Sequence, residues 1–486
     1  MRRLLAAALA AIAIVIVIAG PSAAQDGPDS VVTGDKSFDM RVLAEGLASP
    51  WEITWGPDDF LWVTERTAGR VVRIAPLNGR VVEAVTIDEV SAPGGQDGLL
   101  GMALDPDLLK GRGRDYVYVG YTYVDEARGP DETVKAPASP YRFLYGKIVR
   151  FTYEGATGHL VDPVTLIDGL PAGSDHNSGR LKFGPDGKLY YTIGDGGKNQ
   201  LANYCIPNEA QRLPTAEEVA AKDWIAYQGK SLRLDPDGSI PDDNPVIDRV
   251  KSHVFTYGHR NMQGIDFAPD GTLYASEQGP KTDDEINILK PGRNYGWPHV
   301  AGYRDDMAYE YARWADASTP CPQLGFSDMR IHPSVPREVE SSWTEDFEPP
   351  IATLFTVPSD WNFRDPGCGR MAYICWPTVA ASSIEVYAPT RGPGIPGWEN
   401  SLLVTTLKRG SLYRIPLAAD GRTLAGPIER YFQTENRYRD TAVSPDGATV
   451  FVATDNGGPV DALAGGTTTN LHDRGAILAF RYRDAP

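Results

Sequence analysis

The stretch Asp175–Leu201, DHNSGRLKFGPDGKLYYTIGDGGKNQL, holds an Asp-His pair and then two apolar runs joined through Gly-Pro-Asp-Gly. Proline presets φ at the first turn position, aspartate bonds to backbone ahead of it, and glycine takes a positive φ. The flanking runs alternate with period two and read as strands. The same unit stands at Ile53 (ITWGPDDFLWVTE), Gly101 (GMALDPDLLKGRGRDYVYVGY), Leu181 (LKFGPDGKLYYTIGD), Ile265 (IDFAPDGTLYASEQG) and Thr441 (TAVSPDGATVFVATD). A sixth, degenerate copy without Pro-Asp begins at Ile395 (IPGWENSLLVTTLKRGSLYRI). Further strands fill the gaps, such as RVVRIAP at Arg70, GKIVRFTYE at Gly146 and GAILAFRYR at Gly475. Recurrent β units with similar turns are the signature of a propeller, and six copies predict an all-β, six-bladed β-propeller of four-stranded antiparallel blades. Their uneven spacing places long loops on the blades, where a site would be built. A two-sheet sandwich is the alternative, but the chain is too long and too repetitive for it.

Composition narrows the setting. Residues 1–24 read as a secretory signal: Arg2 and Arg3, an apolar core from Leu4 to Ile18, and Ser22-Ala23-Ala24 as a cleavage site. A retained anchor is the alternative, because the apolar core is long. No later segment has the length and apolarity of a membrane span. The expectation is an exported chain, periplasmic or extracellular, with residues 25–486 as a single propeller domain. The formal charge of −17 disfavours nucleic acid as a partner. Four cysteines in an exported chain point to disulfides. Cys368 and Cys375 lie seven apart, a spacing that suits a short closed loop, whereas sequence separation leaves open whether Cys205 and Cys321 pair.

Three groups of residues could carry chemistry. His176 follows Asp175 in a polar loop, and an imidazole with a carboxylate partner accepts a proton near neutral pH. A lone loop histidine is more often structural, but GHRNMQG at Gly258 and EQGPKTDDEIN at Glu277 look like further site-building loops. Arg260, Lys408, Arg437 and Arg439 stand near the ends of expected strands. In an acidic protein such a set suits a ligand with several carboxylates, which arginine forks grip two-pronged; surface pairing with nearby acids is the plainer reading. From Gln278, QGPKTDDEINILKPGRNYGWPHVAGYRDD gathers acids and carbonyls of the kind calcium prefers, though not at EF-hand spacing.

Together these stretches resemble the soluble, pyrroloquinoline quinone (PQQ)-dependent glucose dehydrogenases of the glucose/sorbosone dehydrogenase group. The similarity runs from about Phe38 to the C-terminus through GPDDFLWVTERTAGRVVRI, GQDGLLG, DHNSGRL, YYTIGDGGKNQL, GKSLRLDPDGSIPDDNP, GHRNMQG, SEQGPKTDDEINILKPGRNYGWPHVAGY, YICWPTVA, LKRG and NRYRD. The resemblance implies a quinoprotein that oxidises glucose and other aldoses to the lactone, with PQQ and Ca2+ as cofactors and an external electron acceptor. It assigns His176 as general base with Asp175 as its partner, and Gln96, Gln200, Leu201, Tyr373 and Trp376 as the sugar-binding wall. It assigns Arg260, Asn261, Thr378, Lys408, Arg437 and Arg439 to PQQ, and the carbonyls of Gly279 and Pro280 to the catalytic calcium. Further calcium near a homodimer contact matches Asp284, Glu285, Tyr295, Ala301, Tyr303 and Asp305, and the family's short-loop disulfide matches Cys368–Cys375.

The chain also departs from the family. Gly196 replaces a larger polar residue beside the sugar loop, which predicts a roomier pocket that accepts disaccharides; the alternative is that position 196 faces solvent and does nothing. Cys205 and Cys321 have no counterpart, and from Ala312 to Trp343 the alignment is poor, leaving Glu340 as the nearest acid for the family's last calcium ligand. Two rival functions stay open: a calcium-dependent propeller hydrolase of the lactonase type, which would need carboxylates rather than cations at its centre, and a non-catalytic binding propeller.

Overall fold

The computed structural model describes residues 31–364 and 366–484; the signal sequence expected at 1–24 lies outside them. Six four-stranded antiparallel sheets form the expected six-bladed propeller. The first strands of the blades are Pro50–Trp55, Leu99–Leu104, Leu181–Phe183, Met262–Phe267, Ala381–Val386 and Tyr438–Val443, and each packs against the first strands of its neighbours around the axis. Ring closure comes from the N-terminal strand Phe38–Ala44, which adds to Ile477–Tyr482 as the outermost strand of the sixth blade. Val32–Thr33 adds a fifth strand to the fifth blade, parallel to Glu429–Tyr431. Among the described residues no helix is long and apolar enough to cross a membrane.

The repeated turn performs the same chemistry in four blades. In the third blade the Gly184 amide donates to the Lys188 carbonyl, and Asp186 accepts from the Lys188 amide. Asp270 accepts from Thr272 in the fourth blade, and Asp446 from Ala448 in the sixth. These turns join the first and second strands, so they mark one end of the ring. The second strands are buried on both faces, as in Leu61–Glu65 and Leu189–Ile193, because each blade is sandwiched between two others. Outer strands such as Val81–Thr86 are partly solvated.

Arg180 plugs the axis. Its guanidinium donates to Glu52 at 2.7 Å and Asp440 at 2.8 Å, and to the carbonyls of Gln263 and Ser382, so one side chain ties four other blades to its own. It also lies over the Trp51 ring.

Antiparallel pairing fixes where a site can form. The loops that enter each first strand and the loops that leave each second strand lie at the same end of the ring, opposite the Pro-Asp turns. Gln96, His176, Asn261 and Thr378 precede first strands, whereas Gln200, Gly279 and Lys408 follow second strands. Residues from Gln96 to Lys408, 312 positions apart in sequence, therefore meet on one face.

Candidate active site

His176 is buried in a left-handed backbone conformation (φ 48°), and its Nδ1 lies 2.6 Å from Asp195 Oδ1. A carboxylate only accepts, so Nδ1 carries the hydrogen and Nε2 is left as the basic atom. Asp195 is fully buried and also accepts from the Gly197 amide, Trp297 Nε1, Asn208 and Gln200. Burial opposes its ionisation, but His176, Arg260 and the Gly197 amide outweigh that and hold the carboxyl below its ordinary range.

This corrects the expected partner. Asp175 does not pair with His176; it accepts from Gln96 Nε2 at 3.3 Å instead. The left-handed turn at His176 sends the imidazole away from its sequence neighbour and toward the end of the second strand of the same blade.

The expected cofactor contacts form one continuous network. Arg260 grips Gln200 Oε1 (2.6 Å from Nη2) and the Gln278 carbonyl. Asn261 donates to Gln96 and Gln278, and Gln263 bridges Gln96 to Arg439. Arg439 forms a two-pronged pair with Asp455 at 2.8 and 3.0 Å, and Arg437 shares that carboxylate at 3.4 Å. Arg437 then reaches the Leu407 carbonyl beside Lys408, whose ammonium donates to the Trp376 carbonyl and to Thr378. Among the described residues Arg260 and Lys408 form no ion pair. Burial lowers the pKa of Arg260 and of Arg437, and burial with Arg409 pulls Lys408 down to about 7. Buried cations with few counter-ions suit an anionic ligand.

The residues expected to bind sugar rim this network. Leu201 and Tyr373 are the exposed ones, at 55% and 48%, and Trp376 is half-buried with its indole N–H on the Phe363 carbonyl. Cavities flank the 195–206 loop on both sides. One of about 860 Å3 touches Asn199, Gln200, Pro280 and Trp297; the other, about 460 Å3, touches His176, Gly196 and Lys198. A Cβ on Gly196 would meet nothing closer than Lys198 Cε at 3.8 Å, so the glycine leaves open space there.

The expected calcium ligands separate into two places. The carbonyls of Gly279 and Pro280 accept no hydrogen bond from the described residues and stand near Arg260. Glu285, Tyr303, Asp305 and Glu340 gather elsewhere with Asp283. Burial first, then neighbouring acids, pushes Asp283 and Glu340 up to about 8 and Glu285 well up. Glu340 accepts from the amides of Ala301, Asp305 and Asp306, beside the expected position, and Tyr295 packs on His259 below. Asp284 is the exception. Its two oxygens accept the amides of Gly279, Val379 and Ala380, so it braces the cofactor side rather than the acidic cluster. Successive side chains on an extended chain point to opposite faces, which parts it from Glu285. Among the described residues no group of three or more His, Cys, Asp or Glu side chains is arranged to hold a metal ion. Both disulfides form, Cys368–Cys375 and Cys205–Cys321.

Sequence reading missed Asp195, Asp455, Gln263, Gln278 and Glu277. A signal was present: an acid closes the second strand or follows it within two residues in four blades, at Glu65, Asp195, Glu277 and Asp455. Each braces a cation or an imidazole at the site end: Arg70, His176, His259 and Arg439 respectively.

Comparison with known proteins agrees with this geometry. Residues 47–333 and 362–461 match the Glucose / Sorbosone dehydrogenase family. The chain is 44% identical to quinoprotein glucose dehydrogenase B of Acinetobacter calcoaceticus, over 92% of each sequence. It is 31% identical to an aldose sugar dehydrogenase of Escherichia coli over 54% of this chain and 62% of that one. Among solved structures, the PQQ-bound aldose sugar dehydrogenase of Streptomyces coelicolor superposes with a TM-score of 0.57 at 26% identity, covering 92% of this chain and 98% of that one. Fold, site and sequence together establish that the chain belongs to the glucose/sorbosone dehydrogenase family.

Proposed function

We propose that this protein is an exported PQQ-dependent dehydrogenase that oxidises glucose and other aldoses at C1 to the lactone and passes the electrons to an external acceptor. One observation carries the reading: Arg260, Lys408 and Arg439 are buried and Arg437 half-buried in one network, Arg260 and Lys408 without an ion pair among the described residues, on the same face as His176–Asp195. An anion with several carboxylates would complete that charge balance. Arg437, Arg439, Lys408, Thr378 and Asn261 would hold PQQ, and the free carbonyls of Gly279 and Pro280 fit a calcium ion beside it.

His176 Nε2 takes the proton of the anomeric hydroxyl, while Asp195 keeps the imidazole in the right tautomer and stabilises the imidazolium. Gln200, held by both Arg260 and Asp195, orients the sugar against that base. Leu201, Tyr373 and Trp376 supply apolar faces at the rim, and Gln96, itself held by Asp175, lies across from them. When bound, PQQ supplies the two-electron acceptor for the C1 hydride, and calcium supplies Lewis-acid polarisation. The open space at Gly196 supports acceptance of disaccharides. The cluster of Glu285, Tyr303, Asp305 and Glu340 is proposed as a second, structural calcium site, near a homodimer contact.

The hydrolase alternative is disfavoured, because the carboxylates at the site end, such as Asp195, Glu277 and Asp455, are engaged by His176, His259 and Arg439. The test is to add PQQ and calcium to purified apo-protein and assay glucose with an artificial acceptor. PQQ-dependent oxidation supports the proposal; calcium-dependent lactone hydrolysis without PQQ would replace it.

A further inference from the structure

The 199–206 loop is strained, and one segment holds it. Asn199 (φ 62°) and Leu201 (φ 43°) adopt left-handed backbone conformations, which Asn tolerates but a branched residue such as leucine holds only where its surroundings enforce them. Among the described residues, apart from Gln200's bonds to Arg260 and Asp195 and Asn203's to the Gly196 carbonyl, the polar and covalent ties of the loop to other segments run to residues 312–324. Asn199 Nδ2 donates to the Ala312 carbonyl at 2.8 Å, and Asn199 Oδ1 accepts from the Ala315 amide at 3.4 Å. Tyr204 donates to the Leu324 carbonyl at 2.5 Å, and Cys205 is bonded to Cys321. Trp314, Cys321 and Val335 form a small core that Tyr204, Cys205 and Phe326 complete. The other face of the loop borders the 460 Å3 cavity, where Ala202, Asn203, Cys205 and Ile206 face His176 and Gly196, and among the described residues Asn203, on the Gly196 carbonyl, is the loop's polar tie there. The loop is therefore a partition, pulled toward residues 312–324 on one side and bordering open space beside the base on the other.

We propose that the Cys205–Cys321 disulfide is a positioning clamp for sugar binding: it holds the 199–206 loop forward so that Gln200 and Leu201 meet the sugar. Cleaving it lets the loop relax into the cavity that it shares with His176 and Gly196, out of register with the sugar. Among the described residues the clamped loop reaches the base and the cofactor side only through Gln200's bonds to Asp195 and Arg260, so its loss falls mainly on sugar affinity. Because Cys205 and Cys321 are 116 residues apart, an oxidising compartment sets this geometry after the two blade loops have met. The inference rests on the sugar-binding role proposed above for Gln200 and Leu201.

The experiment compares wild type with Cys205→Ser/Cys321→Ser, both loaded with PQQ and calcium. The expected result is a glucose KM raised on the order of tenfold, with kcat within about twofold and PQQ affinity unchanged. Amide hydrogen exchange in residues 199–206 should quicken without change in the blade strands. Unchanged KM and exchange would overturn the clamp, as would an equal loss of PQQ affinity. Should the double variant fail to fold, Tyr204→Phe, which deletes one tie and no bulk, decides by the same readouts. If wild type oxidises no sugar, the functional reading fails, and exchange at 199–206 alone decides the clamp: faster supports it, unchanged overturns it.

Discussion

His176 Nδ1 and Asp195 Oδ1 lie 2.6 Å apart across a separation of 19 residues, joining the loop before one strand to the loop after the next. The pair places a basic Nε2 at the mouth of the propeller, and Asp195 extends its hold to Gly197, Gln200, Asn208 and Trp297. One buried carboxylate thereby sets both the base and the sugar loop.

Asp195→Asn should lower kcat roughly 10²–10⁴-fold, because the neutral amide no longer fixes the tautomer or stabilises the imidazolium. Asp175→Asn, which disturbs only Gln96, should act mainly on KM. Steady-state kinetics of the two reconstituted variants checks the assignment; equal losses of kcat would return the partner role to Asp175.

Binding of PQQ should weaken above neutral pH. Burial, and then Arg409, brings the Lys408 ammonium down to about 7 from its ordinary 10.5. Below pH 7 the folded apo-protein bears the full cost of that buried charge. As pH rises from about 7 toward 10.5 the unfolded chain binds more protons than the folded one, so this group's contribution to stability improves. An anionic ligand needs the charged form, so the PQQ Kd should rise above pH 7, by at most about tenfold per unit. Titrations at about pH 6, 7.5 and 9 should show this in wild type and lose it in Lys408→Met.

Arg180→Met should destabilise the propeller by about 3–5 kcal/mol, since Glu52 and Asp440 would be left buried and unpaired. Denaturant midpoints check it. A loss under about 1 kcal/mol would mean that the axial plug contributes little to ring closure.

Calcium should raise the melting temperature of the metal-free protein, because an ion bound only by the native state stabilises it by mass action, by about 2.7 kcal/mol at a hundred times Kd. Glu340→Gln should remove most of the shift, while Asp284→Asn should act on PQQ binding instead. A melt with and without chelator, with metal analysis, tests both.

The propeller was legible because its turn chemistry is local: four Pro-Asp turns repeat the same aspartate-to-amide bond. Closure by Phe38–Ala44 was not, since its partner Ile477–Tyr482 is at the far end of the chain and no local signal links them. The four cations of the cofactor network were legible as residues, but their convergence depended on a ring that sequence separation hides. Asp195 escaped notice because adjacency favoured Asp175, whereas the decisive clue was the acid recurring at the end of second strands. The Cys205–Cys321 pairing needed the docking of residues 312–324 against the loop, which neither spacing nor resemblance carried.

The most direct measurement mixes PQQ- and calcium-loaded protein with glucose, without acceptor, and follows reduction of the cofactor by rapid absorbance, using glucose carrying deuterium at C1. Wild type should reduce its cofactor in one turnover with a primary isotope effect, and His176→Ala should bind PQQ normally yet reduce it at least about 10²-fold more slowly. Equal reduction rates in wild type and His176→Ala, or none in either with PQQ fully bound, would contradict the account.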